Sequence, residues 1–187
     1  MHELRYVIAL LALALAASAS GSNAVDQAQR RVQRVGPDLG RPISESQAAA
    51  GELTISPDGQ TLPPGRGSAM RGAILYAEKC MACHGERGAG ALSGIPRLTG
   101  GVGSLASDEP IKTMNSFWPF ATGVFDYIRR AMPPTSPQSL PADEVYAITA
   151  YLLSIDEIVP ADASLDANSI LRVKMPNRSG FVSAGWE

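Results

Sequence analysis

The chain opens with a continuous apolar run, Tyr6 to Ala17, behind the basic residue Arg5. That run is too short to cross a bilayer comfortably, and small residues follow it in Ala17-Ser18-Ala19 and Ser22-Asn23-Ala24. Residues 1–24 therefore read as a cleavable export signal, with a retained N-terminal anchor as the alternative. Beyond it the pattern loses its period. Gly36-Pro37, Arg41-Pro42, Pro57-Asp58-Gly59 and Pro63-Pro64-Gly65 are turn signals, and Leu53, Ile55 and Leu62 are isolated apolar anchors. This predicts an extended strap over 25–67 lying on a surface, against a flexible linker. Ser68 is a good N-cap, and with Ile74, Leu75 and Tyr76 it predicts a first helix running to residue 80. Residues 85–115 are Gly-rich and aperiodic, and predict loop. Phe120, Val124 and Ile128, spaced by four, predict a second helix that opens at Pro119 and stops at Pro133-Pro134. A third opens at Pro141, with Asp143 and Glu144 opposing the positive end of its dipole and Val145, Ile148, Leu152 and Ile155 on one face. Pro160 closes a helical domain over 68–159, and 160–187 remain as a C-terminal extension without strong periodicity.

Composition narrows the function. With 16 basic and 18 acidic side chains the formal charge is −2, and no run of Lys or Arg suggests nucleic acid. The 18 glycines and 14 prolines cluster outside the helical patterns, so much of the chain is ordered loop. Its 2 cysteines both fall in Cys80-Met81-Ala82-Cys83-His84. Two thiols three residues apart followed at once by an imidazole is the attachment pattern of c-type haem, with thioethers at Cys80 and Cys83 and His84 as proximal ligand. A structural zinc site needs four Cys or His ligands, and His2 leaves with the signal. A thioredoxin-like site needs a βαβ context that is not readable around residue 80. Haem is attached after export, so signal and motif agree on a periplasmic protein with one covalent haem c. No cysteine follows the apolar run, which excludes a lipoprotein anchor, and no membrane span is expected after cleavage.

The pattern then resembles the class I c-type cytochromes, through Gly72, Tyr76, Cys80, Cys83 and His84 on the first helix and Tyr151 on the last. That resemblance implies an all-α fold of three main helices around one haem. Gly72 is expected where the first and last helices approach closely. More narrowly, the chain resembles the SoxD-like cytochrome subunits of bacterial sulfite and sulfane dehydrogenases. The resemblance rests on Leu39-Gly40-Arg41-Pro42, the stretch Ile55 to Gly67, Ser116-Phe117-Trp118-Pro119-Phe120-Ala121-Thr122, Tyr127-Ile128-Arg129-Arg130-Ala131-Met132-Pro133 and Lys174-Met175-Pro176-Asn177-Arg178. It implies a molybdenum-containing dehydrogenase subunit as partner. Some relatives carry a second haem domain, which this chain lacks.

With no other mature histidine, methionine is the natural sixth ligand, and its thioether raises the reduction potential. Met81 lies in the attachment loop and Met70 on the helix before it. Met132 ends a helix and precedes a proline that fixes the backbone, and the resemblance also implies it as the axial ligand. Met114 is the alternative, and Met175 reads as a packing residue of the tail. Pro96 lies where class I cytochromes place a proline whose carbonyl accepts the proximal imidazole N–H. Trp118 could meet a haem propionate, as could one of Arg97, Arg129 and Arg130. Leu98, Phe117 and Phe120 read as haem-packing or core side chains.

An enclosed His/Met iron has no vacant position, so outer-sphere electron transfer is the expected role. The specific expectation is an electron-transfer subunit of a sulfur-compound dehydrogenase, taking electrons from the molybdenum subunit and handing them to a soluble cytochrome c. A general carrier, or a subunit of another dehydrogenase such as an alcohol-oxidising complex, is the alternative. A peroxide enzyme or gas sensor would want a distal acid or base histidine that the chain does not offer. The strap and tail are expected to lie along the partner, outside a minimal domain over 68–159.

Overall fold

The computed structural model describes residues 40–90 and 94–182. The expected signal, the first part of the strap (25–39) and the last residues of the tail (183–187) lie outside the described residues. The chain divides into two units, 1–49 and 50–187. At the junction runs helix α1 (Glu45–Gly51), which the turn-rich pattern did not predict. Its start is a capping box: the Gln47 N–H donates to the Ser44 hydroxyl at 3.2 Å, and the Ser44 N–H donates to the Gln47 side-chain oxygen at 2.9 Å.

The second unit contains β1 (Arg66–Ser68), α2 (Ala69–Lys79), α3 (Met81–His84), α4 (Met114–Phe117), α5 (Ala121–Ala131), α6 (Ala142–Ile155) and β2 (Ser164–Asp166). Helix α6 is its axle. Val145 through Ala150 are all buried, as are Leu152 and Leu153, because neighbours pack around it rather than on one stripe. Full burial of each large aliphatic side chain contributes about 1.5–3 kcal/mol before ordering costs.

Helix α2 crosses α6 with backbone against backbone. Ser68 caps α2, accepting the Arg71 N–H at 3.2 Å. A β-carbon on Gly72 would lie 1.9 Å from the Ala147 carbonyl oxygen, and one on Gly67 would lie 2.2 Å from the Ala147 nitrogen. Both positions thus exclude any side chain, as the sequence predicted for Gly72. The Tyr76 and Tyr151 rings meet across the same crossing, centroids 5.3 Å apart.

Helix α5 begins at Ala121 with Phe120 as N-cap, two residues later than expected. Before it sits α4, which straddles the end of the segment read as loop over 85–115. Thr113 and Ser116 form a reciprocal capping box that starts this turn without any apolar period to announce it.

Residues 50–67 of the strap and the described part of the tail belong to the same unit as 68–159. Strands β1 and β2 pair antiparallel, with Arg66 opposite Asp166, Gly67 opposite Leu165 and Ser68 opposite Ser164. Ile55, Leu165, Ile170 and Met175 are buried in the common core. Polar bonds fasten the strap as well: the Ile55 N–H donates to Asp126 at 2.8 Å, and the Tyr146 hydroxyl donates to the Pro63 carbonyl at 2.9 Å. The packed unit therefore extends on both sides of 68–159. The cause is the alternation in Ser164-Leu165-Asp166, too short for a periodic signal.

Candidate cofactor site

The attachment motif is built on a chain reversal at the end of α2. Cys80 ends that helix, its N–H donating to the Tyr76 carbonyl at 2.9 Å. One turn of α3 follows, in which the Cys83 and His84 amides both donate to the Cys80 carbonyl, at 3.1 and 2.9 Å. Side chains three and four apart share a helix face, so this turn groups both thiols with the imidazole. Gly85, at φ 77°, ends the turn, and the buried Tyr76 hydroxyl holds its carbonyl at 2.9 Å.

Burial pushes the Cys80 thiol up to about 11, with the neighbouring Cys83 adding to the shift and Lys79 opposing it. Burial also lowers the His84 pKa. At neutral pH the motif thus presents a protonated Cys80 thiol and a neutral imidazole, the form of histidine that ligates metals. His84 Nδ1 is buried with no hydrogen-bond partner. The bond expected from it to the Pro96 carbonyl is therefore not formed, although Pro96 lines the same cavity.

Two cavities, of about 390 and 130 Å³, adjoin at this motif. Both are lined by Cys83, His84, Leu98, Ile128, Met132, Pro134 and Leu152. Cys80 lines the smaller, and Pro96, Trp118 and Met114 line the larger. The fold thus brings Cys80, Cys83, His84, Pro96, Leu98, Trp118 and Met132 to one place. Met132 arrives there as the C-cap of α5, its N–H bonded to the Ile128 carbonyl at 3.1 Å and its backbone already extended. Met114 shares the larger cavity, so it stays the internal comparison for Met132. Met175 lines neither cavity and is a core residue.

The three candidate arginines separate. Arg130 grips the buried Asp126 carboxylate with a pair of bonds at 3.0 and 2.6 Å, and Arg129 donates to the Leu53 carbonyl at 3.4 Å. Arg97 is the one that lines the cavity. Phe117 lines it too, whereas Phe120 lies under the Arg178 guanidinium, 4.0 Å from its ring centroid. Lys112 and Tyr127 line the larger cavity without having been singled out from the sequence. Tyr127 could have been, since it continues the three-residue step from Val124. Its ring packs edge-on against Trp118 at 5.7 Å.

No carboxylate among the described residues lines either cavity. Among the described residues no group of three His, Cys, Asp or Glu is placed to hold a bare metal ion. Two thiols on one turn, a half-buried imidazole whose Nδ1 has no partner and a thioether around an apolar slot form instead a donor set that fits haem c. No described helix is long and apolar enough to cross a membrane.

Comparison with known proteins agrees with this geometry. The cytochrome c family model matches residues 69–156. The crystal structure of the sulfane dehydrogenase SoxCD from Paracoccus pantotrophus contains a chain 40% identical to this one, at a TM-score of 0.70. The match covers 79% of this chain and 72% of that one. No curated protein sequence matches.

Proposed function

Since the chain belongs to the c-type cytochromes, with the sulfane dehydrogenase cytochrome as a relative, we propose that it is the electron-transfer subunit of a periplasmic sulfur-compound dehydrogenase. In this reading a molybdenum-containing subunit is its donor and a soluble cytochrome c its acceptor. The observation that carries the proposal is the reach of the 40% identity. It covers 79% of the chain, well beyond the 69–156 that the general cytochrome model matches. The likeness is therefore to a particular kind of cytochrome, including part of its strap or tail, and not to the haem domain alone.

Cys80 and Cys83 would hold haem c by thioether bonds, and His84 and Met132 would bind its iron. When bound, the haem supplies a one-electron Fe(III)/Fe(II) couple, whose potential a methionine ligand raises. The chain supplies the surroundings. Leu98, Ile128 and Leu152 wall the slot with hydrocarbon and keep water out, which limits the solvent rearrangement that accompanies a change of charge. The backbone at Met132, turning from helix to extended chain before Pro133, fixes the direction from which the thioether arrives. Arg97 and Lys112 bring positive charge to the larger cavity, where the propionate carboxylates need partners.

The test is isolation of the mature protein from its own periplasm under gentle conditions, followed by rapid mixing of the oxidised form with whatever co-purifies. The expected result is a molybdenum protein that reduces the haem in the presence of a sulfur donor. Reduction only by an alcohol-oxidising partner, or purification as a free protein that any donor reduces equally, would contradict the proposal.

A further inference from the structure

Asp156 sits at the C-terminus of α6, where a carboxylate faces the negative end of the helix dipole. Its position there is unfavourable unless donors surround it. They do: one oxygen, Oδ2, accepts both the Gly100 N–H and the Asn115 side-chain amide, each at 2.7 Å. Asn115 is completely buried, and the same amide nitrogen donates a second bond to the Leu152 carbonyl at 2.8 Å. Its Oδ1 is left buried without a partner. Turning the amide over would point that oxygen at a carbonyl and a carboxylate, so the orientation is fixed by the two acceptors. An unpaired buried oxygen is costly. The position therefore carries asparagine for its two donated bonds and not for packing.

Those bonds join two parts of the cavity wall. Leu152, on α6, lines both cavities. The segment that Asn115 and Gly100 belong to supplies Arg97, Leu98, Met114 and Trp118 to the same site. Further bonds stiffen it, with the Thr113 hydroxyl donating to the Gly100 carbonyl at 2.7 Å and the Leu98 N–H donating to the Gly88 carbonyl at 2.8 Å. Gly-rich backbone of this kind has little apolar packing of its own and depends on such ties.

We propose that Asn115 and Asp156 are positioning residues that fasten the 97–118 wall of the haem cavity to the end of α6, so that their loss admits water to the cavity and lowers the reduction potential. The proposal rests on the haem reading, and the covalent haem is therefore counted by mass in every variant before anything else is measured. In the ferrous holoprotein, Asn115→Ala is expected to raise amide exchange at Gly100 about tenfold, equivalent to about 1.4 kcal/mol off the cost of opening the wall. The same variant should have a lower potential, because water favours the more highly charged ferric state. Tyr146→Phe removes a bond to Pro63 on the strap side of α6 and should move neither reading. If Asn115→Ala does not accumulate with haem, Asp156→Asn is read by Gly100 exchange and should give the same acceleration. Unchanged Gly100 exchange in the variant examined would overturn the proposal. So would faster exchange with an unchanged potential in Asn115→Ala, or equal changes in Tyr146→Phe.

Discussion

The α2–α6 crossing and the 85–118 loop flank the same motif and are held by opposite means. At the crossing, backbone meets backbone: Gly72 and Gly67 leave no room for a β-carbon against Ala147, and buried aromatic and aliphatic side chains fill the rest. Along the described residues of the loop, single hydrogen bonds hold the backbone, such as Thr99 to the Arg87 carbonyl at 2.6 Å and Gly100 to Asp156 at 2.7 Å. Close packing fixes the frame on which Cys80, Cys83 and His84 sit. The loop shapes the wall that faces the cofactor. Stability and redox behaviour are thus assigned to different residues, and substitutions can separate them.

Gly72→Ala should do the most damage, because its β-carbon meets a backbone oxygen that cannot move aside. Overpacking against backbone is expected to cost about 3 kcal/mol, roughly a 10 °C drop in holoprotein melting temperature. A drop below about 2 °C would mean that the crossing is looser than described. Leu165→Ala comes next, at about 2–3 kcal/mol by urea unfolding. A negligible loss there would return the tail to the status of an appendage, since Leu165 ties it into the core. On the loop side, Thr113→Ala removes the cap of α4 and should cost about 1 kcal/mol, while changing the haem environment more than Leu165→Ala does. Circular dichroism in the haem bands compares the two variants, and the reverse ranking would collapse the distinction between frame and wall.

The smallest expected effect is electrostatic. The Asp166 carboxyl is held below its ordinary value of 3.8 by the Ser169 backbone amide and hydroxyl, with Asn168 and Arg66 contributing. A lowered folded-state pKa contributes stability above the unfolded value and loses it as the pH falls. Asp166→Asn should therefore lower stability slightly at neutral pH and flatten the acid limb of the melting curve around and below pH 3.8, where the parent protein loses the same contribution. An acid limb as steep as in the parent protein would remove Asp166 from the account.

The same contrast explains what the sequence revealed. Ser68, Val124, Ile128, Val145, Ile148 and Leu152 follow caps and helical periods, and the structure places their helices close to where those signals put them. The attachment motif Cys80 to His84 was legible because haem attachment demands a fixed spacing, and Met132 lines the cavity it was expected to face. The residues that escaped notice act through space. Asn115 and Asp156 are 41 positions apart and meet only in the fold. Arg130 looked as available to a propionate as Arg97 did, until Asp126 one turn earlier proved to hold it. The β1–β2 ribbon pairs segments almost a hundred residues apart with three residues on each side, so no local period announces it.

The most direct test of the account is the oxidised absorption spectrum of the holoprotein and of two variants, Met132→Ala and Met114→Ala. Both methionines line the larger cavity, and the account assigns only Met132 to the iron. The parent protein and Met114→Ala should show the weak far-red band of sulfur-to-iron charge transfer. Met132→Ala should lose it, fall in reduction potential and bind CO in the ferrous state. Loss of the band in Met114→Ala with retention in Met132→Ala would contradict the assignment, and absence of the band from the parent protein would contradict methionine ligation altogether.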